Sequence, residues 1–293
     1  MRFQPTPGTA VATGILLLWA ATPGFAQEGA AAGQWAYYAG DIGATKYAPL
    51  DQVDNDNVHL LQIAWRRPAV DQAILNRVPD LSYTRNLTAT PLMVDGVGYT
   101  SNAVGLAEAF DPGTGETVWV QEPMDSGSQA YRGAETRGVA YWTDGRDQRI
   151  LVQRGQYLIA LNAKSGQPYP DFGEGGRVNL ADGLGEGARY RWTGAPLVVG
   201  DVVVLGQSMG DTFTTKEAVR GDVRAFDVRT GQLRWVFHTV PQAGEFGTDT
   251  WEDKSWEYTG HAPVWAPMSA DPELGYVYLP VTSPTSDMYG GHR

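Results

Sequence analysis

Ala109-Phe110-Asp111-Pro112-Gly113-Thr114-Gly115-Glu116-Thr117-Val118-Trp119 returns later in the chain as Ala225-Phe226-Asp227-Val228-Arg229-Thr230-Gly231-Gln232-Leu233-Arg234-Trp235. In both copies Gly follows the Asp by four positions and Trp by eight. Each residue type has a physical task. The Asp side chain bonds nearby backbone and opens a turn, the Gly takes a left-handed conformation, and the Trp on the following strand packs against a neighbour. Ala160-Leu161-Asn162-Ala163-Lys164-Ser165-Gly166 keeps the front half of this unit and then drifts.

Hairpins precede the repeats. Pro91-Leu92-Met93-Val94 and Val97-Gly98-Tyr99-Thr100 flank Asp95-Gly96, and Pro196-Leu197-Val198-Val199 and Val202-Val203-Val204-Leu205 flank Gly200-Asp201. Apolar strands on either side of a two-residue Gly/Asp turn predict β-hairpins. Hairpins joined to a strand–turn–strand repeat at intervals of about 50–65 residues predict radially arranged four-stranded sheets, an all-β β-propeller. A β-sandwich array is the competing architecture, although sandwiches rarely repeat one turn signature at that interval. Three to four blades fit residues 35–293, and no strand near Gly290-Gly291-His292-Arg293 closes the ring, so the chain is expected to be cut short. Helical periodicity is scarce; one short helix is expected around Asn55–Leu61, capped by Asn55, with Val58, Leu61 and Leu60 facing inward.

Composition narrows the chemistry. With 22 Lys and Arg against 33 Asp and Glu, the 293-residue chain carries a formal charge of −11, which disfavours nucleic acid as a partner. It contains no cysteine, excluding disulfides, thiolate metal sites and Cys nucleophiles. His59, His238, His261 and His292 lack zinc-ligand spacing. Residues 1–26 read as a secretory signal peptide: Arg2 precedes the apolar run Gly14–Ala21, and Gly24 and Ala26 supply small residues before Gln27. The run is short for a membrane span. Export to the periplasm is therefore expected, with membrane association left open; residues 27–34 are expected to form a loose mature N-terminus, and 35–293 the partial propeller.

Trp35-Ala36-Tyr37-Tyr38-Ala39-Gly40-Asp41 through Lys46-Tyr47-Ala48-Pro49-Leu50, the Asp/Thr-Gly-Trp repeats, Arg137–Trp142, Thr193–Pro196, Asp222–Asp227 and Val264–Pro280 run in order along nearly the whole mature chain. In these stretches the chain resembles the quinoprotein alcohol and glucose dehydrogenases, which depend on pyrroloquinoline quinone (PQQ). Phe172–Gly176, Pro284–Asp287 and Tyr289–Gly291 are similar to the membrane glucose dehydrogenase branch, without that branch's preceding anchor helices. The resemblance implies an eight-bladed propeller of which about the first half is present. It also implies PQQ beside Ca²⁺ or Mg²⁺, hydride transfer from a sugar or alcohol, and a cytochrome or quinone as electron acceptor.

Carried over residue by residue, the resemblance implies cofactor contacts from Arg137, Thr193, Ser208 and Trp265, and metal contacts from Asp211 and Thr285. Each role suits its chemistry. A guanidinium fork pairs with carboxylates, hydroxyls donate to them, an indole offers a flat apolar face, and a hard divalent cation takes oxygen ligands. Trp251 or Trp256 remains an alternative stacking residue. The departures concern the upper face of the quinone: Tyr131-Arg132 stand where alcohol dehydrogenases carry a cysteine pair, and Gly133 where the glucose branch has histidine. Thr88 replaces a carboxylate and Ser283 an asparagine ligand. The family's catalytic aspartate is expected beyond Arg293. A non-catalytic periplasmic repeat propeller acting as a scaffold is the alternative function, because such proteins share the docking repeats.

Overall fold

The computed structural model describes residues 29–31, 33–78, 81, 83–84, 86–124, 136–185, 189–208, 215–286 and 288–293. The signal-peptide expectation, and those for Tyr131, Arg132, Gly133 and Asp211, fall outside them. Three four-stranded antiparallel meanders follow one another. The first comprises β1 (Leu92–Val94), β2 (Val97–Ser101), β3 (Ala107–Phe110) and β4 (Thr117–Val120). The second comprises β5 (Ala140–Thr143), β6 (Gln148–Arg154), β7 (Tyr157–Asn162) and β8 (Arg177–Asn179). The third comprises β9 (Leu197–Val199), β10 (Val202–Leu205), β11 (Val223–Asp227) and β12 (Leu233–Phe237). A two-stranded sheet, β13 (Ser269–Asp271) and β14 (Tyr276–Tyr278), begins a fourth. Strand order in space equals order in sequence. The first strands of the second and third blades, β5 and β9, lie against each other, while β12 is exposed along its length. These are propeller blades, as the repeats predict.

Local chemistry sets each turn. Asp95 and Gly96 both have positive φ (50° and 79°), as a two-residue hairpin turn with the right twist requires. In the repeat turns, Asp111 Oδ1 accepts from the N–H groups of Gly113 (2.7 Å) and Thr114 (3.1 Å). Asn162 Oδ1 does the same for Lys164 and Ser165, and Asp227 Oδ1 for Arg229 and Thr230. The drifting third copy is thus intact where the turn is built. The register shifts at Ala109/Phe110 and at the equivalent Ala225/Phe226.

The same turns join the blades. Trp119 donates its indole N–H to Ala163 O (2.9 Å), the carbonyl after Asn162, and a Cβ on Gly166 would lie 2.5 Å from the ring. Trp65 repeats the arrangement on the first blade, donating to Pro112 O (2.8 Å) with Gly115 beneath its ring. At the next junction Val178 takes the indole's place: a Cβ on Gly231 would lie 2.6 Å from its Cγ2, and Gly173 N–H donates to Thr230 O (2.8 Å). An ion pair adds to this junction, with Arg229 reaching Asp144 of the second blade (3.3 Å) while Asp201 of its own blade (2.9 Å) steadies it. Leu151, Leu158, Ala160, Val203, Val204 and Val223 fill the core between the second and third blades.

A non-repeating segment is bonded to β1 and β13. Trp35 and Met93 of β1 exchange backbone hydrogen bonds (2.7 and 3.0 Å), and Ala270 of β13 donates to Ile42 O (2.9 Å). Residues 35–42 therefore connect the first and fourth blades directly.

The expected helix at Asn55–Leu61 is a correction. Only a 3-10 turn forms, at Val58–Leu60, and Val58, Leu60 and Leu61 are exposed rather than inward. The true helix, α1 (Gln72–Arg77), is capped by Asp71, whose side chain accepts from Ala73 N–H, and buries Ile74. Without a longer apolar stripe, neither segment displays the period that marks a helix. Within the expected loose N-terminus, Ala30 is buried and donates to Tyr47 O.

Two outcomes follow for stability. Gly145 has φ +87° with open space where a Cβ would go, whereas Gly166 has φ +70° beneath the indole. Both Ala variants carry backbone strain, but Gly166→Ala should cost about 1–3 kcal/mol more than Gly145→Ala in urea unfolding, from overpacking. Asp144 is held down to about 2, chiefly by the backbone N–H groups of Asp147 and Arg146 and also by Arg229. A depressed carboxylate stabilises the fold above its ordinary range and loses that contribution as pH falls. An Asp144→Asn variant should therefore lose less stability than the parent between about pH 4 and pH 2, measured by fluorescence-monitored unfolding.

Candidate functional site

The entry segments of three blades converge on one cluster. Arg137 lies just before β5, Thr193 before β9, Ser208 after β10 and Trp265 before β13. Arg137 Nη1 donates to Thr193 O at 2.9 Å and lies 3.4 Å from Thr193 Oγ1. Thr193 N–H donates to Ser208 Oγ (3.1 Å), and the two hydroxyl oxygens are 3.2 Å apart. The guanidinium carbon sits 5.3 Å from the centre of a Trp265 ring, within cation–π range. All four residues expected to touch a cofactor are therefore neighbours, although they span positions 137 to 265. Trp265 pairs with Arg137 in this way and remains 42% exposed, so indole surface stays open to a ligand.

Close backbone packing sets each position. Thr90 N–H donates to Arg137 O (2.9 Å), and Gly138, at φ +140°, brings its backbone so near that a Cβ would stand 3.0 Å from Thr90 O. Ser208 N–H donates to Arg191 O (2.7 Å), fixing the two segments that carry Ser208 and Thr193. Trp192 is almost fully buried and donates its indole N–H to Val264 O (2.9 Å), next to Trp265. Gly206 permits this junction, because a Cβ there would lie 1.9 Å from Val264 O. Tyr190 donates its hydroxyl to Gly206 O (2.6 Å), and complete burial pushes its pKa up so that it stays neutral. Trp192 was not singled out from the sequence. Its signal is a Trp immediately before the Thr193-Gly194 pair, with no repeat copy to mark it.

Thr285 stands elsewhere. It is fully buried, donates to Lys216 O (2.6 Å) and accepts from Gly260 N–H (3.2 Å), tying three segments together. Among the described residues no contact links it to the four, and no group of three or more His, Asp or Glu side chains is placed to hold a metal ion. Asp211 lies outside the described residues. Trp256 offers its backbone carbonyl to Arg220, at 3.5 Å.

The cluster presents one guanidinium, two hydroxyls and an open indole face. No carboxylate is among its members. That donor set suits a flat, anionic molecule: charge-assisted bonds at its edge and an apolar surface against its plane.

Comparison with known proteins decides the family. The sequence profile "PQQ: Glucose/ethanol/alcohol dehydrogenase, beta-propeller domain" matches residues 35–293. The chain belongs to this family. It is 29% identical over 291 residues to "Quinoprotein glucose dehydrogenase A" of Acinetobacter calcoaceticus, covering 92% of this chain and 35% of the relative. Identity to "Quinohemoprotein alcohol dehydrogenase ADH IIB" of Pseudomonas putida is 32% over 262 residues, covering 85% and 34%. The crystal structure of quinohemoprotein alcohol dehydrogenase from Comamonas testosteroni superposes with a TM-score of 0.66 at 28% identity, covering 86% of this chain and 36% of that one. The chain thus spans about a third of the length of these relatives. The expected family and partial-propeller fold are borne out. The geometry of the four cofactor candidates is consistent with a PQQ site, and the donor set fits that molecule's carboxylates and ring.

Proposed function

We propose that the chain forms the cofactor-binding part of a periplasmic quinoprotein dehydrogenase acting on a sugar or alcohol. The observation that carries this reading is the meeting of Arg137, Thr193, Ser208 and Trp265. Docking repeats alone would serve a scaffold equally well; a scaffold has no need of an arginine, two hydroxyls and an open indole gathered from three blades. Both relatives described above are named as quinoproteins or quinohemoproteins.

When bound, PQQ supplies the redox chemistry by accepting a hydride from the substrate carbon. The chain's own residues do the binding. Arg137 would exchange its bond to Thr193 O for a carboxylate and hold it bidentately. The hydroxyls of Thr193 and Ser208 would donate to the same edge. Trp265 would cover one face of the ring and exclude water from it. Asp211 is proposed as an oxygen ligand of Ca²⁺ or Mg²⁺, with Thr285 either a further ligand or, through Lys216 O, a support for the segment that follows Asp211. Removal of the substrate's hydroxyl proton is not assigned to the four, since none is a base at neutral pH. The electron acceptor is proposed to be a cytochrome or a quinone.

Titration of the full chain with PQQ in the presence of Ca²⁺, followed by tryptophan emission, tests the reading. The parent should bind saturably. Arg137→Ala should weaken binding by about 10-fold or more, since a charge-assisted hydrogen bond is worth about 1.5–3 kcal/mol. Asp211→Asn should blunt the dependence on Ca²⁺. Absence of saturable binding by the parent would contradict the proposal and favour the scaffold.

A further inference from the structure

The segment bonded to β1 and β13 belongs to no blade, yet it lies beside the stretches that carry the cluster. It is stiff. Tyr37 and Gly40 exchange backbone hydrogen bonds (3.4 and 3.0 Å), Gly40 holds φ +95°, and the Trp35 ring would lie 3.3 Å from a Cβ on Gly40. Trp35 also donates its indole N–H to Tyr38 O (3.4 Å), and Asp41 accepts from Thr45 N–H (3.0 Å). Its two ends are anchored on different blades, at Met93 in β1 and Ala270 in β13.

Between those anchors, Tyr37, Tyr38 and Asp41 face Ala195, Pro267 and Met268 across a cavity of about 10 Å³, room for one water. Ala195 lies two residues after Thr193, and Pro267 two residues after Trp265. The segment thus lies beside both stretches that carry the cluster, and Tyr37 and Ile42 pack against the core shared by Leu197 of the third blade and Met268 and Ala270 of the fourth. A rigid brace at this point limits how far the third and fourth blades can part.

We infer that residues 35–47 act as an axial strut that sets the separation of Thr193 from Trp265, with Tyr38 and Gly40 as positioning residues for the cofactor site. The inference rests on the quinone-site reading for its functional consequence, but its geometric content stands independently. Preorganisation of this kind reduces the ordering that a ligand must impose when it binds.

The chain has no cysteine of its own, so a pair of spin labels can be placed without background. In the full chain carrying Arg191→Cys and Ala266→Cys, pulsed electron paramagnetic resonance reads the separation of the two site-bearing segments. The parent should give a narrow distance distribution. Gly40→Val, which drives a branched side chain into the Trp35 ring, should broaden it. Tyr38→Ala should do the same less severely, and Tyr38→Phe should restore the parent distribution. Ile74→Ala, a cavity in the cluster of Val70, Leu81 and Leu106, to which no described residue of 35–47 contributes, should leave it unchanged. In the same proteins, PQQ affinity should fall by roughly 10- to 100-fold wherever the distribution broadens, the scale on which small misplacements act. Parent-like distributions in both Gly40→Val and Tyr38→Ala would overturn the strut, as would equal broadening by Ile74→Ala. Broadening as expected, with no quinone binding by the parent, would uphold the strut and sink the site reading instead.

Discussion

An indole resting on a glycine holds this protein together. Trp65 and Trp119 each donate to the carbonyl that follows the turn-opening Asx of the next blade, and each ring occupies the space a Cβ would take on Gly115 or Gly166. The contact unites two requirements in one place. The Gly must adopt a left-handed conformation for the turn to close, and must lack a side chain for the neighbouring ring to approach. Blades are small antiparallel sheets that cannot bury both faces alone, so the angle between them is decided at these contacts. The functional cluster is carried by the second, third and fourth blades, and between the second and third Val178 against Gly231 does the work of the indole.

Much of the architecture was legible because the repeats announce themselves. The Asp-to-Gly and Asp-to-Trp spacings mark the turn and the docking strand, and Asp95-Gly96 and Gly200-Asp201 mark hairpins whose turns demand positive φ. Copies that diverge are harder to read. The unit at Asn162–Gly166 keeps its turn but lacks the following Trp, and its junction with the third blade is filled by Val178 and by the backbone of Gly173. Trp65 plays the docking role eleven positions after the Asx turn opened by Asp54, with Val58 where the repeats have Gly, so the repeat spacing passes over it. The helix expected at Asn55–Leu61 failed because capping residues and scattered leucines do not make a stripe, and Val58, Leu60 and Leu61 are all exposed.

The site was legible at the level of residue identity and illegible at the level of support. Arg137, Thr193, Ser208 and Trp265 carry the chemistry that an anionic planar ligand needs, and family resemblance picks them out. What holds them is distributed: Thr90 behind Arg137, Arg191 O behind Ser208, and Trp192 behind Val264 and Trp265. Those contacts depend on long-range backbone approach through Gly138 and Gly206, which leaves no local periodicity. Thr285 shows the converse. Resemblance names it near a metal, while its hydroxyl in the fold joins the backbones at Lys216 and Gly260.

The central claim is that four residues drawn from three blades form one quinone-binding surface. A crystal structure of the chain grown with PQQ and Ca²⁺ tests it most directly. The account predicts the quinone ring lying parallel to the Trp265 indole, with Arg137 nitrogens at roughly 3 Å from a quinone carboxylate. A well-ordered quinone bound away from Arg137 and Trp265 would contradict it.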